Sequence, residues 1–184
     1  MKIAVLTAGP SLMSTWTEAR ARDYDRVMAV NGAAWHFSSD YVAFIDRIVF
    51  EAMHSGEAKM PRRGWVTHEN WPLPAGLERL ILPLYRVQYG RVSGDAVDAS
   101  GCTECQTTFP SALMAARDLA DGGPIDLFGF DCTAEPNVLG KVDHDGYGPR
   151  RWCIELPWVK CAWGPNITIH GNASADVRAY LGAK

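Results

Sequence analysis

Four short apolar runs each stop at a residue that could do chemistry. Ile3–Leu6 leads into Gly9-Pro10-Ser11, Val27–Val30 into Asn31-Gly32, Tyr41–Ile45 into Asp46, and Ile125–Phe128 into Gly129-Phe130-Asp131. A glycine-proline-serine turn that opens a helix leaves backbone N–H groups able to hold a phosphate. It equally suits a plain strand-to-helix turn with proline at the first helical position. One glycine is too few for a dinucleotide fingerprint, and no Gly-Lys-Ser/Thr follows to make a Walker loop. The amide of Asn31 both donates and accepts, which fits the edge of a base or a ribose. Asn-Gly is also a strong turn dipeptide, so both readings of Asn31-Gly32 stay open. Asp46 and Asp131 are carboxylates of the kind that hold a magnesium ion bridging phosphates. Thr107 and Thr108 precede a helix and give a second hydroxyl-rich helix start suited to phosphate. His144, flanked by Asp143 and Asp145, titrates near neutrality and is the candidate general base; a polar surface histidine is the alternative.

These residues must be positioned by the runs that precede them. Short, continuously apolar and β-branched runs bounded by turn residues predict strands buried on both faces, the pattern of a parallel sheet. In open parallel sheets, ligands bind outside the carboxyl ends of the strands, where these polar residues sit. Further strands are expected at Trp65–His68, at Leu80–Tyr85 with Pro83 marking an edge, and at Asn166–His170. Thr15-Trp16-Thr17-Glu18 matches a capping box and predicts a helix through Arg22. Ala33–Phe37 reads as a short helix, and Ile48 onward as a helix broken at Gly56. Ser111–Ala120 carries the clearest helical stripe, and a terminal helix begins near Ser174. Residues 86–106 and 132–163 read as loop-rich. The expectation is one α/β domain over residues 1–184, Rossmann-like, with a mainly parallel sheet and helices on both faces.

Composition narrows the classes. The chain has 184 residues, 47% hydrophobic and 21% charged, with a net charge of −3 and a pI near 5.9. That composition is globular, and it carries no basic footprint for duplex nucleic acid. No apolar run reaches the length of a membrane span, and the apolar run after Met1-Lys2 is too short for a signal peptide, so a cytoplasmic location is expected. Five cysteines, an odd count, suggest free thiols. Cys102-Thr103-Glu104-Cys105 has knuckle spacing without a second close pair, so it reads as reduced cysteines rather than a zinc site. The expected partner is a small molecule; a homo-oligomer stays open.

The order of the motifs resembles the compact bacterial sialyltransferases with one Rossmann-like domain, and their relatives among 6-hydroxymethylpterin diphosphokinase-like proteins and short phage proteins. The residues that carry it are Gly9-Pro10-Ser11-Leu12, Val30-Asn31, Asp46, Thr107-Thr108, Gly129-Phe130-Asp131, and the closing Asn166–Ile169 with Asn172-Ala173-Ser174. The resemblance implies a nucleotide or nucleotide-sugar binding protein that transfers a glycosyl or other group. By the same resemblance the Gly9–Leu12 turn would hold the donor phosphate and Asn31 the ribose or phosphate. Thr107, Thr108 and Asp131 would line the nucleoside pocket, and His144 would be the base. A magnesium-dependent diphosphokinase and a non-catalytic nucleotide-binding protein are the alternatives.

Overall fold

The computed structural model describes residues 1–67, 72, 74–81, 108–132, 139 and 156–183. Thr107, His144 and the segment 86–106 expected to be loop-rich lie outside these residues. The described elements are, in chain order, β1 (Ile3–Leu6), α1 (Leu12–Thr15), β2 (Arg26–Val30), β3 (Tyr41–Ala43), α2 (Arg47–Ser55), β4 (Gly64–Thr67), β5 (Glu78–Ile81), α3 (Thr108–Ala120), β6 (Ile125–Phe128), α4 (residues 156–162), β7 (Ile167–His170) and α5 (Ala175–Leu181). Two 3-10 helices, Glu18–Asp23 and Asn31–Trp35, stand beside β2.

The seven strands form one sheet in the order β5-β4-β3-β2-β1-β6-β7. Every pairing is parallel, with Ile3 opposite Arg26 on one side of β1 and opposite Ile125 on the other. The fold is α/β and Rossmann-like. The first five strands are laid down outward from β1 in one direction. The chain then returns through α3 and places β6 on the far side of β1. That reversal makes the gap between the carboxyl ends of β1 and β6 the topological switch point.

Alternation along β1 and β2 divides the core in two. Ile3, Val5, Met28 and Val30 face α3, α4 and α5, together with Leu113, Val159 and Leu181. Ala4, Leu6, Val27 and Ala29 face the opposite layer, with Leu12, Trp16, Val49 and Met53. Both faces are covered, so β1 and residues Val27–Val30 of β2 are apolar throughout, as a buried parallel sheet requires. On the second face Trp16 packs against Phe128 at 4.9 Å and Tyr24 at 5.7 Å between ring centroids. The Tyr24 hydroxyl donates to Asp126 Oδ2 at 2.8 Å, and Lys2 lies over the Tyr24 ring.

Three local expectations are corrected. The capping box at Thr15 does not form: the Thr15 hydroxyl donates back to the Ser11 carbonyl at 2.7 Å, α1 ends after one turn, and the next turn is 3-10. Residues 156–162, expected in a loop, are helical. Pro157 sits within that helix's first turn, where a missing N–H costs nothing, and Val159 and Ala162 are buried against the sheet. The fifth strand starts at Glu78 rather than Leu80; it is an edge strand, as expected.

Candidate ligand crevice at the carboxyl ends of the strands

The polar strand ends share one rim, but they do different things there. After β1 the chain turns tightly through Gly9-Pro10-Ser11. A Cβ on Gly9 would stand 2.1 Å from the Gly129 carbonyl oxygen and 2.6 Å from Asp131 Oδ2. Only glycine allows that approach. Gly129 itself has φ +71, and its Cβ would meet the Thr7 carbonyl oxygen at 2.5 Å. The exits of β1 and β6 are thus pressed together, and Gly9 N–H donates to Gly129 O at 3.0 Å.

Asp131 closes this junction. Its carboxylate is buried and accepts from the Ser11 N–H at 2.7 Å, the Ser11 hydroxyl at 2.5 Å and the Asn172 N–H at 2.8 Å. One side chain therefore joins the loops that follow β1, β6 and β7. Gly171 lets the third loop in, since a Cβ there would lie 2.9 Å from both Asp131 Oδ1 and Ser11 Oγ.

This changes the meaning of the opening turn. The amides expected to be open to a phosphate are engaged: Gly9 with Gly129, Ser11 with Asp131, and Leu12 with the Gly9 carbonyl. Pro10 has no N–H to give. The anion at this helix start is the protein's own carboxylate.

Asn31 differs. It sits just past β2, level with Ala8 past β1, because Leu6 pairs with Ala29. Its φ is +47, in the left-handed region that non-glycine residues enter at a cost. Its Oδ1 is buried and has no hydrogen-bond partner among the described residues. Gly32 follows, where a Cβ would meet Leu139 Cδ1 at 3.1 Å and Ala8 Cβ at 3.2 Å. The floor between β1 and β2 is thus narrow and lined by small residues, with one unpartnered amide oxygen.

Asp46 is exposed at the N-cap of α2, and its side chain makes no capping bond. It follows β3, whereas Asp131 follows β6, with β2 and β1 between them. Three strand spacings of about 4.8 Å put the ends of β3 and β6 about 14 Å apart across the sheet, and the Asp131 carboxylate is already engaged by Ser11 and Asn172. Thr108 is buried at the start of α3.

Two rim residues escaped the sequence reading. Thr67 ends β4 fully buried, with Oγ1 lacking a hydrogen-bond partner among the described residues. It follows the apolar pair Trp65-Val66, a signal that was available. Asn172 contributes through its backbone N–H, which no side-chain pattern reveals. No family model, curated protein or solved structure matches the chain.

Proposed function

We propose that this chain binds a nucleotide or nucleotide sugar in the crevice above β1 and β2, as a group transferase of the glycosyltransferase-like kind. The observation that carries the reading is Asn31 Oδ1: a buried acceptor without a partner, on a residue in a left-handed conformation, at the rim beside the switch point. An unsatisfied buried acceptor costs roughly 1–3 kcal/mol, which a ligand donor would recover on binding. A ribose hydroxyl or an exocyclic base amine supplies such a donor. Helix α2 starts at the same end of the sheet without a side-chain cap, so the N–H groups of Arg47 and Ile48 are placed to meet a phosphate. The resemblance adds His144 as the base that deprotonates the acceptor hydroxyl.

A second reading, nucleotide binding without transfer, is favoured by Ala8. The sialyltransferases carry an asparagine before their Gly-Pro-Ser, whose amide helps the leaving phosphate. Here that position is alanine, packed against Gly32.

Thermal-shift measurements with CMP, CDP, UDP, GDP and ATP, with and without magnesium, test both readings. The expected result is a stabilising shift with at least one nucleotide that is lost in Asn31→Ala. No shift with any nucleotide removes the proposal. A shift without turnover of any nucleotide sugar selects the binding protein, and turnover abolished by His144→Ala with binding intact selects the transferase.

A further inference from the structure

The opposite end of the sheet holds a groove of about 750 Å3. It opens where β2 to β5 begin, away from the crevice. That volume is within the roughly 300–1,000 Å3 of small-molecule sites. Three arginines line it: Arg22, Arg62 and Arg63. Arg62 and Arg63 share a single carboxylate oxygen, Asp40 Oδ1, at 3.5 Å and 3.7 Å. Both distances exceed the roughly 2.7–2.9 Å of a charge-assisted hydrogen bond. The other Asp40 oxygen is committed to the Val27 N–H. Among the described residues the two guanidinium groups thus share one carboxylate oxygen as their ion-pair partner. Arg22 is exposed and makes no ion pair among the described residues. The loop that presents Arg62 and Arg63 is fixed by its backbone: Arg62 N–H donates to Ser39 O, and Arg63 and Gly64 N–H donate to Asp40 O. The backbone that carries the two arginines is therefore fixed at the groove, while their guanidinium groups stay exposed.

The remaining charged walls are acids that are already anchored. Glu18 Oε1 takes the Ser38 N–H and Lys59, Asp25 Oδ2 takes the Lys2 N–H, and Glu78 Oε2 takes the Tyr41 hydroxyl. At Asp25 and Glu78 the contact falls on one carboxylate oxygen, and the other has no partner among the described residues. Among the described residues the lining holds one aromatic ring, Tyr24, and no large aliphatic side chain. The groove thus offers bidentate donors for an oxyanion at one place and rigid carboxylate acceptors for hydroxyl groups at another.

We infer that this groove is a second binding site, for a phosphorylated sugar: phosphate on Arg22, Arg62 and Arg63, hydroxyls on Glu78 and Asp25. A bare phosphate would meet the arginines but also the acids, and a neutral sugar would leave the arginines unanswered. The site is independent of the nucleotide crevice, since it uses none of its residues.

Calorimetric titration of the full chain with glucose 6-phosphate, inorganic phosphate and glucose tests this. The expected order of affinity is glucose 6-phosphate first, phosphate weaker and glucose undetected. The double variant Arg62→Ala/Arg63→Ala, on exposed side chains, should weaken glucose 6-phosphate by about tenfold or more, as the loss of a bidentate charged contact predicts. Arg22→Ala should weaken it independently. Asn31→Ala, at the other end of the sheet, should leave this titration unchanged. No heat with glucose 6-phosphate at millimolar concentration overturns the site, and so does equal affinity in both arginine variants. Equal affinity for phosphate and glucose 6-phosphate overturns the role given to the acids.

Discussion

At the scale of single residues, two polar side chains at the strand ends on either side of β1 behave in opposite ways. Asp131 is saturated by three donors of its own chain. Asn31 Oδ1 has no partner among the described residues. Asp131→Ala should therefore act on stability: it strands the Ser11 N–H and hydroxyl in a buried setting and removes the partner of the part-buried Asn172 N–H. Hydrogen bonds to a charged group are worth about 1.5–3 kcal/mol each, so a loss above roughly 3 kcal/mol is expected in denaturant unfolding, with Asp131→Asn intermediate. Neither role was legible beforehand. In the sequence both are polar residues after an apolar run. The partners of Asp131 lie 120 and 41 residues away, and hydrogen-bond saturation is a property of the folded junction.

At the scale of elements, strands read well and short helices poorly. The strands of a doubly covered parallel sheet are apolar throughout, so composition alone marks Ile3–Leu6 or Val27–Val30. Helix α1 is a single turn whose threonine hydroxyl serves the preceding carbonyl, and α4 was hidden by its proline and tryptophan. The edge strand β7 shows another device that spacing does not reveal. Arg178 on α5 donates to the carbonyls of Ile169, Gly171 and Ala173, at 3.4, 2.9 and 3.1 Å. Edge strands expose such groups to unwanted pairing. Arg178→Met should cost about 1–3 kcal/mol in unfolding free energy and raise the aggregation rate measured by light scattering.

For the whole molecule, the half-buried Tyr24 and the buried Tyr41, on either side of the sheet, set an alkaline limit. Tyr24 is pushed above its ordinary value of 10.0 first by burial and then by its hydrogen bond to Asp126. Tyr41 is raised from the same value by burial and by Glu78. In the unfolded chain both ionise near pH 10, while in the fold both keep their protons. Their contribution is complete below pH 10 and is lost as pH rises through the folded values. Unfolding free energy should fall above pH 10, with a shallower slope in Tyr24→Phe. Acid works in reverse at Glu18: burial pushes its pKa up, but the Ser38 N–H and Lys59 outweigh it and hold the carboxyl below its ordinary 4.5. That contribution is present above pH 4.5 and is lost as pH falls through the lowered value.

The placement of β1 also has a consequence in time. Ile3 is opposite Arg26 on one flank and Ile125 on the other. During synthesis β1 can pair with β2 early, but its second edge stays bare until β6 has been made. At roughly 5–20 residues per second, that gap lasts several seconds. For that interval a nascent sheet ends in an apolar strand with unpaired backbone groups. Completion of this fold is therefore a late event that depends on one distant strand, and a chain stalled before residue 125 would display the surface that chaperones bind.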